Sequence, residues 1–137
     1  EEAVERFARL IAVDIKDSEF QAKLPATQML GLFQPFHDGH RALFERALAK
    51  HGQVAIMVRD MPLSESNPWT VESICENVEY ELAEYAGKFR TYAVPNIMNI
   101  TYGRDVGYKI EQETFDEETH NISATKIREQ MKSDGKI

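Results

Sequence analysis

Cysteine is nearly absent from this chain: Cys75 is the only one in 137 residues. That excludes an intramolecular disulfide and a cysteine-based zinc set. No apolar run approaches the roughly 20 residues that a bilayer crossing requires, and no secretory leader pattern is present. Positive charge is in deficit, with 16 Lys and Arg against 23 Asp and Glu and a formal net charge of −7. A chain of that balance is not built to coat a nucleic-acid polymer. Internal repeats and low-complexity segments are also lacking. The expectation is a cytoplasmic protein with neither membrane nor nucleic acid as partner. A small phosphorylated ligand is still allowed, because it needs only a few local cations, and Arg41, Arg59, Arg104, Lys126 and Arg128 can supply them.

The composition that remains is ordinary for a globular domain, 42% apolar and 28% charged. The length suits one core. Glu1 in first place leads us to expect sequence upstream. We divide the chain into an N-terminal helix and connector, 1–24, and a main domain, 25–137. Val4, Phe7, Ala8, Ile11 and Ile15 recur at helical spacing and predict a helix over 2–16. Residues 17–26 read as connector. Short apolar runs predict strands over 27–33, 53–58 and 89–94, with shorter ones at 97–102 and 108–113. Helical patterns fall at about 39–50 and 70–86, and a last helix begins near Ser123. Thr70 suits an N-cap, and Gly52 and Gly87 suit helix stops. Strands alternating with helices imply an α/β domain, a Rossmann-like three-layer α/β/α fold with a parallel sheet of about five strands. Ligands of such sheets sit at the carboxyl ends of the strands.

Gly31-Leu-Phe-Gln-Pro-Phe-His-Asp-Gly-His40 lies at such an end, between the first core strand and the following helix. A helix start carries unpaired amides and the positive end of the dipole. His37 and His40 add two donors there, and Gly39 leaves room for a phosphate. An ordinary surface turn is the alternative reading. A zinc site is another, though ligands to complete it are missing nearby. The second segment is Ile122-Ser-Ala-Thr-Lys-Ile-Arg128. Ser123 is a suitable N-cap, while Lys126 and Arg128 oppose the dipole of their own helix, which points to an external anion. A plain amphipathic helix is the alternative. Tyr102-Gly-Arg-Asp-Val-Gly-Tyr108 follows a predicted strand, and its Gly103 and Arg104 could meet a nucleotide, or form a surface turn. Arg59 ends the second strand and opens a long loop, 59–69, of the kind that is often functional. Trp69 and Cys75 read as packing.

The first two segments resemble, in order, the His-x-Gly-His and Ile-Ser-x-Thr-x-Ile-Arg signatures of the nucleotidyltransferase superfamily, over roughly residues 27–131. The resemblance implies transfer of a nucleoside monophosphate from CTP, or ATP, to a small anionic phosphate-type acceptor, with release of pyrophosphate. It implies His37, His40 and Arg128 as catalytic residues, and Gly31, Phe33, Gln34, Gly39, Ile122, Ser123 and Thr125 as nucleotide contacts. Gly103 and Arg104 would join the nucleotide site, Arg59 would hold the acceptor, and Mg2+ would accompany the triphosphate. Members of that family are often dimeric, which leaves a homodimer open here, and the 2–16 stripe could pack on the domain itself or on a second subunit. The 31–40 and 102–108 segments together also resemble a domain found beside adenylylsulfate kinase sequences. Two departures stand out: Leu32, where the family commonly has Thr, Ser or Arg, and Glu118, where glycerol-phosphate-type cytidylyltransferases have Arg. They keep two alternatives open, an adenylyltransferase acting on a phosphate or sulfate-like acceptor and a non-catalytic nucleotide-binding module.

Overall fold

In a computed structural model, residues 19–104, 107–115 and 122–136 are described. The predicted helix over 2–16 lies outside them. β1 (Thr27–Gly31), β2 (Val54–Arg59) and β3 (Phe89–Val94) form a parallel sheet in the order β1-β2-β3. Met29 is level with Ile56, and Ile56 with Thr91. α1 (Asp38–His51) and α2 (Val71–Glu81) are the crossovers, and α3 (Ala124–Ser133) follows. The α/β/α character and the parallel sheet agree with the sequence, and the described residues form three strands where about five are expected.

β2 alternates buried with half-buried residues, Val54, Ile56 and Val58 being wholly enclosed. That period of two turns one face of the sheet into the core. α1 contributes Phe44 and Ala47, and α2 contributes Val71, Ile74 and Val78. α1 meets the end of α2 and the turn after it: Arg41 binds Glu84 and the Glu81 carbonyl, and the Phe44 and Tyr85 rings meet at 5.1 Å. Gln53 closes the lower end of the sheet, its buried amide donating to the carbonyls of Gln21, Leu24 and Pro25.

The punctuation of the chain follows local chemistry. Gly52 ends α1 with φ +79°, the left-handed conformation that glycine adopts without strain. Thr70 caps α2, its Oγ1 accepting from the Ser73 N–H. α2 stops at Glu81, short of the expected 86, and a 3-10 turn at Ala83–Tyr85 continues the path. Leu82 interrupts the helix at φ −107°, where its side chain is wholly buried. β1 likewise stops at Gly31 rather than 33, since Phe33 has φ +52° and turns the chain out of the strand.

The expected strands at 97–102 and 108–113 are not formed. Their large apolar side chains find no sheet to cover: Met98, Ile100, Tyr102, Tyr108 and Ile110 are all more than half exposed. Residues 111–115 instead run beside α1, where Lys50 and Arg46 pair with Glu113, Lys50 also reaches Glu111, and Arg46 stacks over Phe115. Short apolar runs become strands only where a neighbour completes the hydrogen-bond ladder and one face is buried. No helix among the described residues is long and apolar enough to cross a membrane.

Candidate anion-binding cleft

The turn from β1 into α1 is built around aromatic rings. Gly31 has no Cβ; one placed there would lie 2.8 Å from the Phe33 ring. That vacancy, with the left-handed backbone of Phe33, lets the ring fold back into the core. Phe33 and Phe36 then wall in His40, at centroid distances of 4.8 and 5.5 Å. The missing Cβ of Gly31 thus makes room for the Phe33 ring.

His37 is the N-cap of α1. Its Nδ1 accepts from the N–H groups of Gly39 and His40 at 3.1 and 3.3 Å, and the His37 N–H donates to His40 Nδ1 at 3.1 Å. The two imidazoles form a reciprocal capping box and stack at 3.7 Å. Each Nδ1 must be unprotonated to accept, so each ring carries its proton on Nε2. Burial lowers both pKa values, that of His40 to about 3 with help from the neighbouring His37, while Asp38 opposes the shift at His37. Both rings are therefore neutral near pH 7 and present Nε2–H donors rather than positive charge. This revises the expected role of the helix end: the Gly39 and His40 amides are already occupied, and the donors left over are the histidines' own. Gly39 makes room for the His37 ring, since a Cβ there would lie 2.9 Å from Cε1 and 3.7 Å from the Ile122 Cβ. Gly39→Ala should therefore displace His37 and raise the Kd for any ligand of this turn about tenfold or more, the loss of one or two donors; titration calorimetry checks it.

α3 brings the second motif to the first. Ser123 caps it as expected, Oγ accepting from the Lys126 N–H at 3.1 Å. Arg128 donates through Nη1 to the Gln34 carbonyl at 2.6 Å and through Nη2 to Thr125 Oγ1 at 3.3 Å. Gln34 is buried, and its side-chain amide both donates to the Trp69 carbonyl and accepts from the Trp69 N–H. The Gln34 side chain is thus a clamp between two loops. Arg59, at the end of β2, donates from Nε to Asn96 Oδ1 at 3.1 Å.

These groups enclose a cleft of about 450 Å³ at the carboxyl ends of the strands. Leu32, Phe33, Gln34, His37 and His40 line it from the β1–α1 turn; Arg59, Ser66 and Asn67 line it from β2 and its loop; and Ala124, Thr125 and Arg128 line it from α3. Of the residues singled out in the sequence, Phe33, Gln34, His37, His40, Arg59, Thr125 and Arg128 meet there. Gly31, Gly39, Ile122 and Ser123 stand behind the lining and shape it. Gly103 and Arg104 do not join it; they are exposed, because residues 97–102 do not pair as a strand that would carry them to this edge. Ser66 and Asn67 were not foreseen. The placement of Asn67 beside Pro68 in the long loop was the available signal. No protein-family model matches this chain, and no curated protein matches it.

Proposed function

We propose that the cleft binds the phosphates of a nucleoside triphosphate, and that the domain transfers a nucleoside monophosphate from CTP or ATP to a small anionic acceptor. One observation carries this reading. In a chain of net charge −7, the cleft is lined by two guanidiniums and two N–H-donating imidazoles, with no carboxylate among its described lining residues. Such a lining suits a multiply charged anion.

In the proposed reaction an acceptor oxygen attacks the α-phosphorus in line. The bond from that phosphorus to the bridging oxygen breaks, and pyrophosphate leaves with the electron pair. The chain positions the groups and stabilises charge. His37 and His40 donate from Nε2 to oxygens of the α- and β-phosphates. Arg128, fixed by Gln34 and Thr125, holds the departing pyrophosphate, and Arg59 holds the acceptor. Magnesium would travel with the triphosphate, bound by its oxygens.

Thermal-shift measurements with CTP, ATP, GTP and UTP, each with magnesium, test the reading. A nucleotide at 100 times its Kd should stabilise the wild type by about 2.7 kcal/mol, and the His37→Ala/His40→Ala variant should lose that shift. No shift with any of the four would overturn the proposal. Leu32 favours a second reading, since an apolar side chain in the cleft wall gives a phosphate nothing: a module that binds nucleotide without turnover. Pyrophosphate release across a set of acceptors separates the two.

A further inference from the structure

The far end of the cleft holds polar groups that the nucleotide does not use. Arg59 is gripped on one side by Asn96 Oδ1, which accepts from both Nε and Nη2, and Nη2 also contacts Met98 Sδ at 3.4 Å. The fork is thereby turned with Nη1 left for another anion. Beside it lies Asn67, 9% exposed, whose Oδ1 has no hydrogen-bond partner among the described residues. A buried acceptor left unpaired is costly, and native structures rarely keep one without a reason. The Asn67 backbone is tightly held, by reciprocal bonds with Ser64 at 3.0 and 3.2 Å. Its side chain is held weakly, Nδ2 reaching Ser64 Oγ at 3.4 Å. Asn67 lines the cleft, so a rotation of this amide would turn its oxygen toward it, and the exposed Ser66 hydroxyl lies next in sequence.

We infer that Arg59, Ser66 and Asn67 form the acceptor subsite, that it takes a phosphate monoester with a hydroxyl or amide hydrogen next to the phosphate, and that Asn96 is the positioning residue for Arg59. The inference rests on the transferase reading and adds the substrate class. Arg59 Nη1 binds the acceptor's phosphate, one oxygen of which attacks the α-phosphorus. Asn67 Oδ1 accepts the neighbouring hydrogen, and Ser66 can bind the same group. An ester without that hydrogen leaves the Asn67 oxygen unpaired.

The test is calorimetric binding of two probes, 2-hydroxyethyl phosphate and ethyl phosphate, to the full chain. The wild type should prefer the hydroxyl-bearing ester by roughly three- to tenfold. Asn67→Ala should bind both esters alike. Arg59→Gln should weaken both by about tenfold or more. Asn96→Ala should also weaken both, keep the preference between them, and be rescued by Asn96→Asp, which retains the accepting oxygen. The subsite is overturned by equal affinities in the wild type, by a preference that survives Asn67→Ala, or by an Arg59→Gln variant that binds the esters normally. Far-ultraviolet circular dichroism guards against unfolded variants. Should Asn67→Ala unfold, Asn67→Ser, with a shorter reach, must lose the same preference. Nucleotide binding is read separately: its absence sinks the transferase reading, while the ester preference alone decides the subsite.

Discussion

On the proposed transferase reading, His40→Asn should lower turnover by about 10²–10³-fold while the domain stays folded. The substitution separates two functions of one ring. Asparagine Oδ1 can still accept the His37 N–H that His40 Nδ1 takes at 3.1 Å, so the helix start keeps its cap. What disappears is the Nε2–H, and removing one donor aimed at developing charge costs on that order in kcat. Nucleotide Kd should move far less, because the triphosphate keeps Arg128. The pH–rate profile adds a second check. With its pKa lowered to about 3 by burial, His40 is neutral throughout the working range, so no limb of the wild-type profile between about pH 5 and 8 should vanish in the variant. Turnover within threefold of wild type would show that His40 is only a cap.

Phe44→Ala should cost about 3–5 kcal/mol of stability, the usual range for a wholly buried phenylalanine. Phe44 is 0% exposed, and its ring meets Tyr85 at 5.1 Å and Phe89 at 5.7 Å, so it joins α1 to the 3-10 turn after α2 and to β3. Neighbours held in two other elements cannot both collapse into the gap. Domains of this kind hold only about 5–15 kcal/mol in total, so the variant should be partly unfolded near physiological temperature. Urea denaturation reads the effect as a fall in midpoint with little change in slope. A loss below about 1.5 kcal/mol would mean that the surrounding side chains relax far more than this packing allows.

The elements that the sequence announced most clearly are those with two independent local signals. α1 has a periodic face and Gly52; the first part of α2 has one and Thr70; α3 has Ser123. The three sheet strands were legible because their apolar runs are bounded by turn residues and end up buried. Residues 97–102 and 108–113 have comparable runs. Whether such a run pairs depends on a neighbour elsewhere in the fold, which composition does not record. The cleft shows the same division. His37, His40 and Arg128 stood out as chemical types in spaced motifs, whereas Asn67 enters through a loop conformation fixed by Ser64. The charge state of the histidines was also hidden, because it depends on which nitrogen the backbone amides occupy. Gly39 was read as a place with room beside it, and the group that uses the room within the chain is the His37 ring, just as Phe33 uses the space at Gly31.

The attachment of α3 has a thermodynamic consequence. No residue of this helix is buried, whereas α1 and α2 each bury residues in the core. Its link to the β1–α1 turn is the Arg128–Gln34 bond, which spans 94 positions. Segments that bury little apolar surface open at far lower free energy than the core beneath them. α3 can therefore detach while the sheet and its two covering helices stay intact, and amide hydrogen exchange would find it among the least protected parts of the molecule. A triphosphate bridging Arg128 and the histidines would close that equilibrium, so part of its binding energy goes into ordering the wall that holds it.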